Sequence, residues 1–254
     1  MKKIFTTTLV SLVSFVTIVS ADFIRAEIGT GVWTQTATGK SYYNGSTSGA
    51  RGTDKLQENV NTSNYVWAFI KHPIPIVPNL RLGYVNIHGD GTATGEWSGL
   101  GIPSGSSSTS TLDLKEYDII PYYNILDNTF WVTLDLGLDI KIIDLDYKIS
   151  KKTFFAGYQY KSTIQLPLGY IRARAQIPTT DLGFEADVKY IQYGSSTIYD
   201  IRAKVDYTFD ISPLIQPALE IGYRAQRIKI DDSSSDIKTD INFAGPYVGL
   251  FLRF

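Results

Sequence analysis

The chain of 254 residues has no cysteine, only two histidines and a single methionine. Without cysteine there is no disulfide framework, no thiolate metal site and no Cys to carry an N-terminal lipid. An excess of one charge is missing as well. The 24 Lys and Arg stand against 25 Asp and Glu, which excludes the strong basic surplus of a nucleic-acid binder. After the first 21 residues no apolar run approaches the roughly 20 residues that a membrane-spanning helix needs. Charged residues make up 19% of the chain and mean hydropathy is close to zero. Soluble proteins look this way, and so do transmembrane barrels, in which only alternate residues meet lipid.

The N-terminus carries an address. Lys2 and Lys3 precede an uncharged stretch from Ile4 to Ser20, and Val19-Ser20-Ala21 offers the small residues that a signal peptidase requires. Residues 1–21 therefore read as a cleaved signal peptide and 22–254 as one domain. A membrane-spanning helix fits less well, because Ser and Thr thin the run and it barely reaches spanning length. Losing Lys2 and Lys3 leaves 22 bases, so the mature net charge is 22 − 25 = −3.

Aromatic residues are abundant, at 13% with 17 tyrosines, and apolar residues recur with period two. From Phe130 to Ile142 every even position is apolar, while the odd positions Trp131, Thr133, Asp135, Gly137, Asp139 and Lys141 include the charges. That alternation is a β pattern. Thirteen residues at about 3.3 Å each reach roughly 43 Å, or about 33 Å of height at a tilt of about 40°, enough to cross a membrane. The same design returns in Tyr199 to Phe209, Ile171 to Ile177 and Phe184 to Tyr190. With lipid on the apolar faces, the charges line an interior. They are Asp135, Asp139, Lys141, Arg172, Arg174, Glu185, Asp187, Lys189, Asp200, Arg202, Lys204 and Asp206.

About ten strands are expected, near 23–36, 62–72, 79–89, 111–126, 129–145, 163–177, 183–194, 197–209, 217–230 and 237–254. Long Gly-, Ser- and Thr-rich connections near 37–61, 90–110 and 146–162 alternate with short turns at Pro73 to Pro78, Asp127-Asn128, Pro178 and Pro213 to Pro217. Long outer loops over short inner turns mark the all-β, closed, antiparallel, up-and-down transmembrane barrel. Ten strands fit best; eight and twelve stay open. Three details are undecided or irregular. Both faces of Tyr65 to Lys71 are apolar, and the alternation slips by one around Lys115-Glu116-Tyr117, which suggests a bulge. Residues 153–163 either extend a strand or form half of an extra hairpin.

The last residues, Tyr247-Val-Gly-Leu-Phe-Leu-Arg-Phe254, resemble the C-terminal strand signal of bacterial outer-membrane barrels, with Tyr247, Gly249, Leu252 and Phe254 at the signal positions. Together with Gly222-Tyr223-Arg224, Arg227, Asp231-Asp232, Gly245-Pro246, His72-Pro73, Pro78-Asn79 and Tyr122-Tyr123, this resembles a family of small proteobacterial outer-membrane β-barrel proteins. The resemblance implies fold, location in the Gram-negative outer membrane, contact with its lipid and lipopolysaccharide, and handling by the barrel-insertion machinery. It assigns no activity and no cofactor.

An enzyme needs a base within hydrogen-bond reach of its proton. His72 sits beside Pro73 at an inner turn. His88 with Asp90 resembles part of the omptin proteases, yet His88 shares the parity of Leu80, Leu82 and Tyr84 and so points out of the barrel. No catalytic residue is assigned, and an omptin-like rim hydrolase is the weakest reading. Pairing through the turn at 178–182 sets Arg174 opposite Glu185 and Arg172 opposite Asp187. One register of the next hairpin sets Glu185 opposite Lys204 and Lys189 opposite Asp200. Balanced charges of this kind fill a narrow barrel as a plug. The expectation is a structural or surface barrel; a narrow small-solute channel or a ligand-binding barrel is the alternative. Trp33, Tyr42, Tyr43 and Trp97 are placed in outer loops as contacts for an external ligand, and Gly101 to Ser110 as a solvated loop.

Overall fold

The computed structural model describes residues 25–44, 51–57, 59–74, 76–95, 108–150, 157–212, 214–231 and 237–254. The proposed signal peptide and Trp97 lie outside the described residues. The strands are β1 (Arg25–Asn44), β2 (Arg51–Leu56), β3 (Val60–Lys71), β4 (Asn79–Gly95), β5 (Ser108–Thr129) and β6 (Val132–Ser150). They continue as β7 (Gly157–Gln176), β8 (Leu182–Tyr193), β9 (Ser196–Thr208), β10 (Gln216–Ile230) and β11 (Ile237–Arg253). All pairings are antiparallel, from β3 onward each strand pairs with the next in sequence, and β11 returns to β1, with Glu27 opposite Arg253 and Thr30 opposite Leu250. β2 and β3 occupy one strand position between β1 and β4, so eleven segments make a closed ten-stranded barrel.

Closure leaves no sheet edge, which satisfies backbone polar groups where water is absent. The seam holds because Phe254 N donates to Ala26 O at 2.8 Å and Ala26 N to Phe254 O at 3.3 Å. Val248, Leu250 and Leu252 face outward from this last strand, while Tyr247 and Gly249 face inward.

Several strands run past their expected ends. β1 reaches Asn44, and β2 adds a segment within the expected loop at 37–61. β4 and β6 continue to Gly95 and Ser150, and β7 begins at Gly157, so the described part of 153–163 extends a strand. Ser108 to Ser110 belong to β5 rather than to a loop.

The expected irregularity at Lys115-Glu116-Tyr117 is absent. Val85 through Asn79 pair without a shift against Glu116 through Tyr122, and the register shifts fall lower, between Asn124 and Thr129. The turn there is Phe130-Trp131, not Asp127-Asn128. Both residues have positive φ, 51° and 65°, as a two-residue type I′ hairpin requires.

The barrel wall changes character at one level, and this explains the misread bulge. Below that level the outward row is apolar: Tyr117 and Ile119 on β5, Leu136 to Ile142 on β6, Ile201 and Tyr199 on β9, Ile221 to Ala225 on β10. Above it the outward row turns polar, at Lys115, Asp144, Thr197 and Arg227. The inward row makes the opposite change close to the same level: Glu116 gives way to Leu114, Lys141 to Ile143, Asp200 to Ile198 and Gln226 to Ile228, with the change on β6 one step lower than on β5. The lower part is greasy outside and ionic inside. The upper part, about seven residues or roughly 18 Å tall, has the arrangement of a water-soluble barrel.

Candidate functional site: an ionic plug beneath an apolar chamber

The inward charges come from strand alternation, since every second side chain of a barrel strand enters the lumen. Those named from the sequence all lie there. Asp135, Asp139, Lys141 and Asp200 are 0% exposed, and Arg172, Arg174, Glu185, Asp187, Lys189, Lys204 and Asp206 are buried. Arg202 is half-buried. The registers Arg174 with Glu185, Arg172 with Asp187, Glu185 with Lys204 and Lys189 with Asp200 are those of the β7–β8 and β8–β9 ladders.

Contacts between neighbouring strands and contacts across the lumen together knit these charges into one network. Arg172 reaches Asp135 at 2.6 Å and Glu185 at 2.7 Å, with Phe69 under its guanidinium at 5.0 Å. Arg174 grips Asp206 through both terminal nitrogens, at 2.6 and 2.8 Å. Arg81, from the opposite wall, meets Glu185 at 3.2 Å. Higher up, Lys141 binds Asp118 at 2.6 Å and Glu116 at 3.2 Å, Arg224 binds Asp200 at 2.8 Å, and Lys189 bonds Asp118 and Asp200. Lys204 lies 2.7 Å from Glu220 and 4.9 Å from the ring centres of Trp67 and Phe251. Tyr65 and Trp67 donate to the same Glu220 carboxylate, at 2.7 and 3.1 Å. Multiple donors on every one of these carboxylates are what makes burial of so many charges tolerable; Asp139 is the exception.

Among the described residues the plug's ten acids stand against nine buried or half-buried bases, with Arg25 a tenth, more exposed, that shares Glu27 with Arg253. The acids are Glu27, Glu116, Asp118, Asp135, Asp139, Glu185, Asp187, Asp200, Asp206 and Glu220; the bases are Arg81, Lys141, Arg172, Arg174, Lys189, Arg202, Lys204, Arg224 and Arg253. Asp139 is the acid left over: neither of its oxygens has a hydrogen-bond partner.

Pattern reading missed Glu27, Arg81, Glu116, Asp118, Glu220 and Arg224. Their strands mix apolar and polar residues on the inward side, so no clean charged row announced them. It also misplaced Trp33, which is fully buried inside the barrel. Its indole donates to Gly245 O at 3.1 Å, and Arg224 stacks on it at 4.6 Å. Tyr42 does lie near the outer end, 39% exposed. Trp67 and Phe69 point inward and Val66, Ala68 and Ile70 outward, which resolves the two-sided strand: aromatic faces are needed under the plug's cations.

Above the plug sits a chamber of about 950 Å³ including its open mouth, walled by Leu56, Leu112, Leu114, Ile143, Leu145, Ile164, Leu166, Ile198, Ile228, Ile230, Ile241 and Phe243. Its few polar groups include Asp54, held by Tyr147 Oη at 2.6 Å and Ser110 Oγ at 2.7 Å. His88 lies on the outer face of the wall. Its Nδ1 is 2.6 Å from Asp113 and its Nε2 3.3 Å from Asp90, away from both plug and chamber. The Asp113 hydrogen bond raises the His88 pKa. His72 caps its turn through Asn79 and Pro78.

The chain is similar in structure to the outer-membrane protease OmpT from Escherichia coli, at TM-score 0.59 and 13% identity over 94% of this chain and 100% of that one. That is an outer-membrane β-barrel fold. The translocator domain of the autotransporter NalP from Neisseria meningitidis aligns at TM-score 0.42 and 14% identity, over 100% of this chain and 96% of that one. A Pseudomonas aeruginosa FadL homologue aligns at 0.36 and 9%, over 92% and 90%. No family model matches the sequence, and no curated protein matches it. These likenesses speak to the fold alone.

Proposed function

We propose that residues 22–254 form an integral outer-membrane barrel whose lumen is sealed by the ionic plug, so that the protein acts as a closed surface scaffold and not as a channel or an enzyme. The observation that carries this reading is the packing at the level of Asp135, Asp139, Lys141 and Asp200, all of them fully buried. A conducting pore of the same width would leave its wall charges solvated. The apolar outward row, continuous around the lower wall, supports seating in a bilayer with its lipids as the main partners. The Tyr247, Gly249, Leu252 and Phe254 pattern on the closing strand supports recognition by insertion machinery. OmpT is a protease, but neither of this chain's two histidines faces the plug or the chamber: His88 stands on the outer wall and His72 caps a turn.

Planar-bilayer recording of the refolded protein tests the proposal. A silent barrel, confirmed as folded by heat-modifiable migration, is expected. Stepwise conductance that shifts when Arg172 or Lys189 is neutralised would establish the small-solute channel instead.

A further inference from the structure

The chamber above the plug belongs to the part of the wall that is polar outside and apolar inside. A barrel of eight strands is just narrow enough for side chains to fill it, or for one small ligand to occupy it, and ten strands are wider. Aliphatic side chains line this space without closing it and leave about 110 Å³ inside, room for one small, compact guest.

The polar feature of its wall is built with care. Asp54, only 2% exposed, accepts from Tyr147 and Ser110, and no lysine or arginine among the described residues forms an ion pair with it. Every acid of the plug except Asp139, by contrast, has a cation. Gly91 makes the arrangement possible: a Cβ there would run into the Ser110 hydroxyl and lie 2.8 Å from Asp54 Oδ1. A carboxylate keeps lone pairs beyond the two used here. Burial raises the Asp54 pKa, and the hydrogen bonds from Tyr147 and Ser110 offset only part of the rise.

We propose that the chamber is a binding site for a small amphiphilic amine, its hydrocarbon body against Leu114, Ile143, Leu166 and Ile228 and its ammonium on Asp54. An anionic head would meet a buried carboxylate with no cation beside it, and a purely apolar guest would leave the Asp54 cluster without the partner its geometry allows. The site is separate from the plug and does not depend on whether the lumen conducts.

The test is calorimetric titration of the barrel in lipid nanodiscs, avoiding detergents that would enter the chamber, with empty nanodiscs subtracted. The probes are 1-adamantylamine, 1-adamantanol and 1-adamantanecarboxylate. Saturable binding of the amine is expected, weaker by about tenfold or more for the alcohol, and undetectable for the carboxylate, the difference a charged hydrogen bond makes. Asp54→Asn removes the amine's advantage over the alcohol, and Leu166→Trp, which fills the chamber, abolishes binding of both while heat-modifiable migration stays normal. No saturable binding of any probe would overturn the site. Equal binding of amine and alcohol, or an amine preference that survives Asp54→Asn, would overturn the assigned ligand class.

Discussion

Arg172→Met is the sharpest probe of the plug. Methionine replaces the hydrocarbon stem of the arginine but leaves two carboxylates to find other partners, and the two are not equally placed. Glu185 keeps Arg81 at 3.2 Å, Arg174 at 3.4 Å and Lys204 at 3.8 Å. Asp135, fully buried, retains the Asn124 side-chain amide but loses its ion-pair partner at 2.6 Å. Removing one member of a buried pair costs about 3–5 kcal/mol because a charge is stranded. With a urea slope of about 2 kcal/mol/M, the unfolding midpoint of the barrel in lipid should fall by roughly 2 M. The double change Arg172→Met with Asp135→Leu removes the stranded charge and should regain more than half of that loss. A single-variant midpoint within about 0.3 M of wild type, well under the 3–5 kcal/mol expected, would mean that water reaches Asp135 and that the lumen is not sealed there.

Asp139→Asn should leave urea stability unchanged or raise it by up to about 1 kcal/mol, since it neutralises the buried acid that lacks hydrogen-bond partners; a loss above about 2 kcal/mol would reveal a partner or ion on that carboxylate. His88 should titrate above its ordinary pKa by NMR, because Asp113 holds the protonated ring. A raised folded pKa stabilises below about 6.5 and loses its effect as pH climbs through the folded value. His88→Gln should therefore flatten the pH dependence of stability in that window, by less than about 1 kcal/mol at so exposed a site. Gly31→Ala should slow or weaken barrel closure, measured as loss of the heat-modifiable band, because the new methyl would run into the Val248 carbonyl and the Tyr65 hydroxyl at the β1–β11 seam; a cost of about 1–3 kcal/mol is expected for such overpacking.

Much of the wall was readable from alternation alone, and it is instructive where it was not. β7, β8 and β9 alternate cleanly about short turns, so the Arg174–Glu185 and Lys189–Asp200 pairings followed from parity and turn position. β3 resisted because its inward residues, Tyr65, Trp67 and Phe69, are aromatic for a reason found on other strands: Arg81, Arg172 and Lys204 stack on Trp67 or Phe69, and Tyr65 and Trp67 donate to Glu220. Cation–π partners distant in sequence make a lumen face look like a lipid face. Trp33 was misplaced for the same cause. At 115–117 the alternation is unbroken, but the chemistry on each face exchanges, and a single sequence window cannot distinguish exchange from a one-residue slip. The Phe130-Trp131 turn offered no Gly or Asn to mark its positive φ values.

That exchange of faces follows from the solvent each level meets. Where the outside is hydrocarbon, outward side chains must be apolar, and the lumen of a ten-stranded barrel can then be filled by charges only if they pair with one another. Where the strands rise beyond the hydrocarbon, water solvates Lys115, Asp144 and Arg227 outside, and the inward positions become free to turn aliphatic. The two arrangements meet over a narrow band of rungs: Glu116 and Gln226 are bonded to each other just below Leu114 and Ile228, while Glu116 already stands opposite Ile143 and Lys141 opposite Leu166. A plug that ended lower would leave apolar side chains facing apolar lipid through the wall, with no hydrophobic drive to hold the strands closed. One that continued upward would bury charges where water already supplies a soluble-type core. The boundary between plug and chamber is therefore set by the membrane surface, and a ligand site above it costs the barrel none of the pairing that seals it below.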